Sequence, residues 1–179
     1  VRVISPFVGG GFGCKGSSWS HVSLCAMASK QVGRPVRLVL ERPQMFGPVG
    51  ARPQLEQRVV LGATHDGTLA AIRHEGRSSV SRFDQFCEHF TAPTRSLYQC
   101  ANVETVERVV QLDIATPCQM RAPGEVTGSF AVESALDELA IALKLDPLEL
   151  RLRNYADVDP ETGKPWSSKS LRQCYQRAA

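Results

Sequence analysis

The sequence is short of nearly everything that marks a specialised chain. No apolar run in its 179 residues approaches the roughly 20 needed to span a membrane as a helix. Aromatic residues are only 7% and the net charge is +3, without the clustered Lys/Arg face that nucleic-acid binding requires. The six cysteines, at 14, 25, 87, 100, 118 and 174, never fall within three positions of one another. The close pair expected of a zinc or iron–sulfur site is therefore missing, and the cysteines read as free thiols. The histidines at 21, 65, 74 and 89 show no HxxxH or HExxH spacing, and read as core or surface side chains. No internal repeat or low-complexity tract is present.

What is there is an ordinary globular balance, 42% hydrophobic and 22% charged, which excludes a disordered or collagenous chain. The chain opens on Val1-Arg2-Val3-Ile4 and closes on Arg177-Ala178-Ala179 in a helical pattern, and it reads as a piece of a longer polypeptide. Patterning predicts an edge strand over Val1–Val8, then a glycine loop over 9–16 with Ser17 and Ser18 as N-caps. A mostly buried helix follows over 19–32, stopped by Gly33, and then a strand over 35–41. Residues 43–53 form a proline- and glycine-rich loop. Strands are expected over 57–63 and 69–80, joined at a turn by His65-Asp66-Gly67-Thr68, and again over 103–114. The stretch 81–100 is ambiguous, with Pro93 set against a helix.

The clearest helix is 125–144, where Val132, Leu136, Leu139 and Leu143 make one apolar stripe. Asp146-Pro147 predicts an N-cap with Pro at N1, opening a helix over 148–155. Residues 157–166 form a polar turn region, and Ser167 or Ser168 caps a last helix ending near Ala178. The fold class is α+β, mixing helices with antiparallel strands. It is organised as a cofactor-loop unit over 1–43, a strand region over 54–114 and a helical region over 115–179.

Two segments can carry chemistry. In Gly9-Gly10-Gly11-Phe12-Gly13-Cys14-Lys15-Gly16 the missing Cβ atoms let backbone N–H groups approach a ligand. Cys14-Lys15-Gly16 fails the ending of a P-loop. Gly11–Gly16 does match GxGxxG, and Glu41 ends the next strand where a ribose-binding acid would sit, so a dinucleotide-binding reading is open. The second segment, Met120-Arg121-Ala122-Pro123-Gly124-Glu125, puts a permanent planar cation before a long helix, suited to an oxyanion.

Taken together, these segments resemble those of the molybdenum-binding large subunit of the xanthine dehydrogenase / aldehyde oxidase family. Residues 9–15 are similar to its GGGFGxK loop. Residues 120–140 are similar to its RAPGE segment with the ExxxDELA run that follows, and residues 146–154 to its DPxExRxRN run. Three motifs in register displace the dinucleotide reading, which is kept as the alternative together with a non-catalytic remnant.

The resemblance implies a molybdenum–molybdopterin cofactor, in the cytosine dinucleotide form, within a molybdopterin-binding domain. [2Fe-2S] and FAD would sit on partner subunits. It places Gly10, Gly11, Phe12, Gly13, Arg121, Ala122 and Gly124 against the cofactor, with no direct metal ligand among them. Gly16 stands where purine oxidisers carry Glu, and Pro123 where they carry Phe, so the substrate pocket is expected to take a small-molecule aldehyde. The family's general base is a Glu in a GxGE motif that these residues lack. Glu125 is not that residue, and no catalytic residue is assigned. This chain alone is therefore expected to be inactive.

Overall fold

A computed structural model describes residues 2–84 and 86–179; Val1 of the expected first strand and Gln85 of the ambiguous stretch lie outside them. The chain divides into two compact units interleaved in sequence. One is Val1–Gln54, Ser78–Glu88 and Val109–Ala122; the other is Leu55–Arg77, His89–Arg108 and Pro123–Ala179. The fold is α+β, with five helices and a three-stranded sheet of order β1-β2-β3 among the described residues.

In the second unit, β1 (Leu55–Ala63) alternates half-buried and exposed positions through Leu61, as a strand with one covered face must. It turns through Asp66-Gly67 into β2 (Leu69–Ser81). Gly67 takes φ 89°. The Asp66 carboxylate accepts from the Thr64 hydroxyl and, at 3.2 and 3.0 Å, from the Thr68 N–H and hydroxyl. These bonds, the Thr64 hydroxyl first, hold its pKa down to about 2.

β3 (Val103–Leu112) runs in the same direction as β2, not against it. The Ile72 N–H donates to the Asn102 carbonyl at 2.8 Å, and further along Arg73 pairs with Glu104 and Arg82 with Asp113. Residue numbers therefore rise together on the two strands. Residues 82–102 are long enough for the crossover that parallel pairing needs. They hold the short helix α2 (Ala92–Ser96), with Pro93 in its first turn. Pro93 thus stands where a helix tolerates proline, contrary to the expectation that it breaks one.

Helix α3 (Glu125–Leu143) matches the predicted span, but its buried line runs through Gly128, Val132, Leu136 and Ala140. Leu139 and Leu143 are only half-buried. The small residues set this line, because they allow close approach. A Cβ at Gly128 would lie 1.9 Å from the Phe90 carbonyl oxygen, so the helix packs backbone to backbone there. Val132, Leu136 and Ala140 join Leu69, Ile72, Tyr98 and Leu150 in the core.

The Asp146 carboxylate caps α4 (Pro147–Arg153) by accepting from Leu148 N and Glu149 N at 2.8 and 2.9 Å, as its sequence predicts. The last helix, α5 (Leu171–Ala178), starts after Ser170 without a side-chain cap, so neither Ser167 nor Ser168 fills that role.

Two buried polar side chains tie this unit together. Asn154 accepts from Leu69 N at 2.8 Å and donates to the Gly67 and Leu150 carbonyls at 2.8 and 2.9 Å, fastening the hairpin turn to the end of α4. His74, fully buried on β2, lies 2.6 Å from Thr94 Oγ1 and 3.1 Å from Gln57 Oε1. The amide oxygen can only accept, so Nε2 carries the proton and Nδ1 accepts from the threonine. Gln57 passes the connection on by donating to the Thr127 carbonyl in the first turn of α3 at 3.2 Å.

In the first unit, α1 (Ser20–Val32) ends at Gly33 in the left-handed region, φ 63°. Trp19 precedes it without a side-chain cap, so Ser17 and Ser18 do not cap it. The expectation of a mostly buried helix fails, since α1 has no buried residue. Leu24 and Met27 are more than half exposed, as are Ile4, Phe7 and Val39. The described parts of the segments expected as strands, 2–8 and 35–41, belong to no strand. Their apolar residues have no sheet face to pack on.

Two stability predictions arise here. Asn154→Ala leaves the buried Leu69 N–H and the Gly67 carbonyl short of a partner, and a denaturant titration should show a loss of about 2–3 kcal/mol. Burial lowers the His74 pKa below its ordinary 6.5, so the unfolded chain binds the extra proton first. Stability should be level above pH 6.5 and decline as pH falls below it; His74→Gln should remove that part of the slope.

Candidate functional site

The glycine loop is tightly turned. Gly10 and Gly13 take φ 100° and 105°, and Phe12, not a glycine, takes φ 53°. Residues Cys14–Gly16 form a 3-10 turn, closed by Gly16 N donating to the Gly13 carbonyl at 2.9 Å. The Trp19 indole N–H donates to the Cys14 carbonyl at 2.6 Å. The loop therefore does not open α1 directly, as a dinucleotide fingerprint would. Glu41 ends no strand, and its N–H is taken by Gln44 Oε1 at 2.8 Å. Both supports for the dinucleotide reading are absent.

The glycine loop and the arginine loop meet. Arg121 N–H donates to the Phe12 carbonyl at 2.8 Å. One position along, a Cβ at Gly13 would stand 2.4 Å from the Gln119 carbonyl oxygen and 2.9 Å from Met120 Cα. Only glycine permits that approach, and only glycine is comfortable at that φ. Ala122, the next residue, also has positive φ, 54°. Phe12 is two-thirds exposed, with its ring folded back over Gly10. The Arg121 side chain is exposed and has no ion pair or hydrogen bond among the described residues.

Gly50, Ala51 and Arg52, outside both motifs, hold this junction, and no sequence pattern marks them. Arg52 donates to the Arg121 carbonyl at 2.7 Å and forms an ion pair with the buried Glu88 carboxylate. Arg121 is thus gripped at both ends of its backbone, by Phe12 at the N–H and by Arg52 at the carbonyl. Cys118 N donates to the Ala51 carbonyl at 2.9 Å, and Gly50 packs against Trp19 and Cys118. The loop over 43–53, which offers no motif, is what braces the two that do.

A cavity of about 520 Å³ lies beside the glycine loop, lined mainly by Trp19, Val22, Leu38, Leu40, Met45 and Val49, with Cys14, Lys15 and His21 at its polar places. Gly16 borders open space, with no atom within 4 Å of a Cβ built there. Gly11 is not in the left-handed region.

Pro123 and Gly124 belong to the second unit. Pro123 is exposed, whereas Gly124 is buried at the N-cap of α3 with φ 80°. Its Cα rests on the His89 carbonyl, with a built Cβ 2.4 Å away. The His89 ring is held at Nδ1 by Glu107 at 3.0 Å.

The family described as "Molybdopterin cofactor-binding domain" matches residues 1–155. The aldehyde oxidoreductase molybdenum-binding subunit PaoC of Escherichia coli K12 is 38% identical over 180 residues, covering 100% of this chain and 24% of that relative. The putative xanthine dehydrogenase molybdenum-binding subunit XdhA of the same organism is 32% identical over 184 residues, covering 99% of this chain and 24% of that relative. The chain thus spans about a quarter of the length of these curated relatives. Among solved structures, the aldehyde oxidoreductase of Desulfovibrio gigas superposes with a TM-score of 0.81 at 31% identity, covering 94% of this chain and 19% of that one. No described helix is long and apolar enough to cross a membrane.

The loop junction makes a contrast that mutation can read. Gly13→Ala forces a strained φ and a backbone clash, and a denaturant titration should show a loss of about 1–3 kcal/mol. Gly16→Ala, with open space and an ordinary φ, should stay within about 0.5 kcal/mol.

Proposed function

The chain belongs to the molybdopterin cofactor-binding domain family, and from that premise we propose that its two loops form part of the cofactor wall of a molybdenum hydroxylase that oxidises aldehydes to carboxylic acids. The observation that carries this reading is the Phe12–Arg121 backbone hydrogen bond of 2.8 Å. It joins, backbone to backbone, a residue with an exposed aromatic ring and one whose exposed guanidinium has no ion pair or hydrogen bond among the described residues.

Three features suit an oxo-rich, anionic cofactor. The backbone approaches without Cβ atoms at Gly10, Gly11 and Gly13. An arginine guanidinium is a planar cation with donors matched to an oxyanion. Arg52 braces the junction through the Arg121 carbonyl, so the backbone that carries the guanidinium is held before a ligand arrives, which favours stabilisation of developing negative charge. Gly10–Gly13, Arg121, Ala122 and Gly124 would hold the cofactor, in the cytosine dinucleotide form.

When bound, the molybdenum–pterin group supplies the two-electron redox step, in which aldehyde and water give carboxylic acid, two protons and two electrons. The residues of this chain position, exclude and polarise. Phe12 offers a flat apolar surface, and Arg121 offers donors to an oxyanion. Gly16 and Pro123 supply neither a carboxylate nor an aromatic ring, and a purine needs polar and stacking contacts of that kind for tight binding. The supporting relative is named an aldehyde oxidoreductase subunit.

Electrons leave to [2Fe-2S] and FAD carried by partner subunits. The general base and the surfaces that cover the exposed apolar side chains of residues 2–41 come from the rest of the subunit. The 179 residues by themselves do not turn over.

The test uses the full-length subunit with its partners and an artificial electron acceptor. An aromatic aldehyde should be oxidised and hypoxanthine should not. Arg121→Ala should lower the aldehyde rate about 10²–10³-fold at unchanged molybdenum content. Purine turnover exceeding aldehyde turnover would contradict the substrate class, and an unchanged Arg121→Ala rate would contradict the role of the guanidinium.

A further inference from the structure

We propose that Cys14 and Cys118 form a reversible disulfide, driven by hydroperoxide, that staples the glycine loop to the arginine loop. This goes beyond the aldehyde reading and rests on loop geometry alone.

Where the loops meet they run in opposite directions. Phe12 faces Arg121 through a 2.8 Å hydrogen bond, and Gly13 lies on the Gln119 carbonyl and Met120 Cα. Rising numbers on one side meet falling numbers on the other. The next step along each chain is Cys14 and Cys118, each adjacent to a residue already in backbone contact with its counterpart. Trp19 borders both. Its indole N–H donates to the Cys14 carbonyl at 2.6 Å, while its ring edge and the Cys118 Cβ and Sγ pack on the same Gly50. Both cysteines are free thiols in the structure.

The pair is asymmetric in access. Cys14 is half-buried and lines the 520 Å³ cavity, whereas Cys118 is only 3% exposed. Burial raises the Cys118 pKa, and the nearness of Cys14 raises it further, which agrees with the two sulfurs lying close. Cys14 is thus the thiol a small oxidant reaches, and Cys118 the one that resolves it.

The steps balance. The Cys14 thiolate attacks one oxygen of hydrogen peroxide, the O–O bond breaks, and a sulfenic acid forms with release of hydroxide. The Cys118 sulfur then displaces the sulfenic oxygen. The S–S bond forms, the S–O bond breaks, and water leaves with the thiol proton. Two thiols lose two electrons to one peroxide, and an added thiol reverses the reaction by exchange.

The test is mass spectrometry of the reduced full-length subunit after brief hydrogen peroxide treatment, with the remaining thiols alkylated before digestion. The expected product is a Cys14–Cys118 cross-linked peptide, about 2 Da lighter than the two thiol peptides together and abolished by dithiothreitol. Cys25, Cys87, Cys100 and Cys174 should remain alkylated. In Cys118→Ser, Cys14 should persist as a sulfenic acid that dimedone traps. In Cys14→Ser, Cys118 should stay a thiol, which keeps the test open if one variant folds poorly. Cys14 driven to sulfinic acid beside an intact Cys118 thiol, disulfides to other cysteines instead, or no oxidation of either residue would each overturn the proposal. The readout needs no turnover, so a subunit inactive on aldehydes would contradict the reaction assignment and leave this result standing.

Discussion

Everything assigned to the loops depends on one contact that a side chain would destroy. The chain has room for the Phe12–Arg121 hydrogen bond because Gly13 has no Cβ, and a Cβ there would stand 2.4 Å from the Gln119 carbonyl oxygen. The positive φ at Gly13, 105°, is the second half of the same constraint. A glycine conformation and a backbone approach are set together, and the rest is arranged around them. Arg52 holds the far side of Arg121 through its carbonyl. Its own charge is balanced by Glu88, a buried carboxylate that would be costly without a cation. Rigidity at the junction comes from that chain of dependencies and not from either motif alone.

Much of this was legible in residue order, and what was not has a physical reason. A glycine cluster predicts positive φ because only glycine adopts it freely, and Gly10 and Gly13 do. Asp146-Pro147 predicts a capped helix because both effects act within one turn. Helix α3 was legible as a period, but its buried line was misread by large apolar residues. Gly128 and Ala140 pack more closely than Leu139 and Leu143, since close approach favours the absence of a side chain. Pairings across long stretches left no local mark. Asn154 bonds Gly67 and Leu69, and Arg52 reaches Arg121; neither partner can be read from neighbours in sequence. The direction of β3 was missed for the same reason, because a crossover and a meander have similar strand patterns.

The first unit also carries a message in what it leaves uncovered. Helix α1 has no buried residue, and Ile4, Phe7, Leu24, Met27 and Val39 stand in solvent. Apolar surface on that scale is unfavourable in water. The chain spans about a quarter of the length of the curated relatives it matches. The second unit, by contrast, closes its own core around Leu136, Leu150 and Tyr98.

The central claim is that one cofactor touches both loops. It is tested most directly by a crystal structure of the full-length subunit loaded with molybdenum and pterin. The account predicts that the Arg121 N–H still donates to the Phe12 carbonyl, and that the molybdenum end of the cofactor lies against residues 10–13 and 121–122 together. A cofactor seated away from either loop, or a junction opened by its binding, would contradict it.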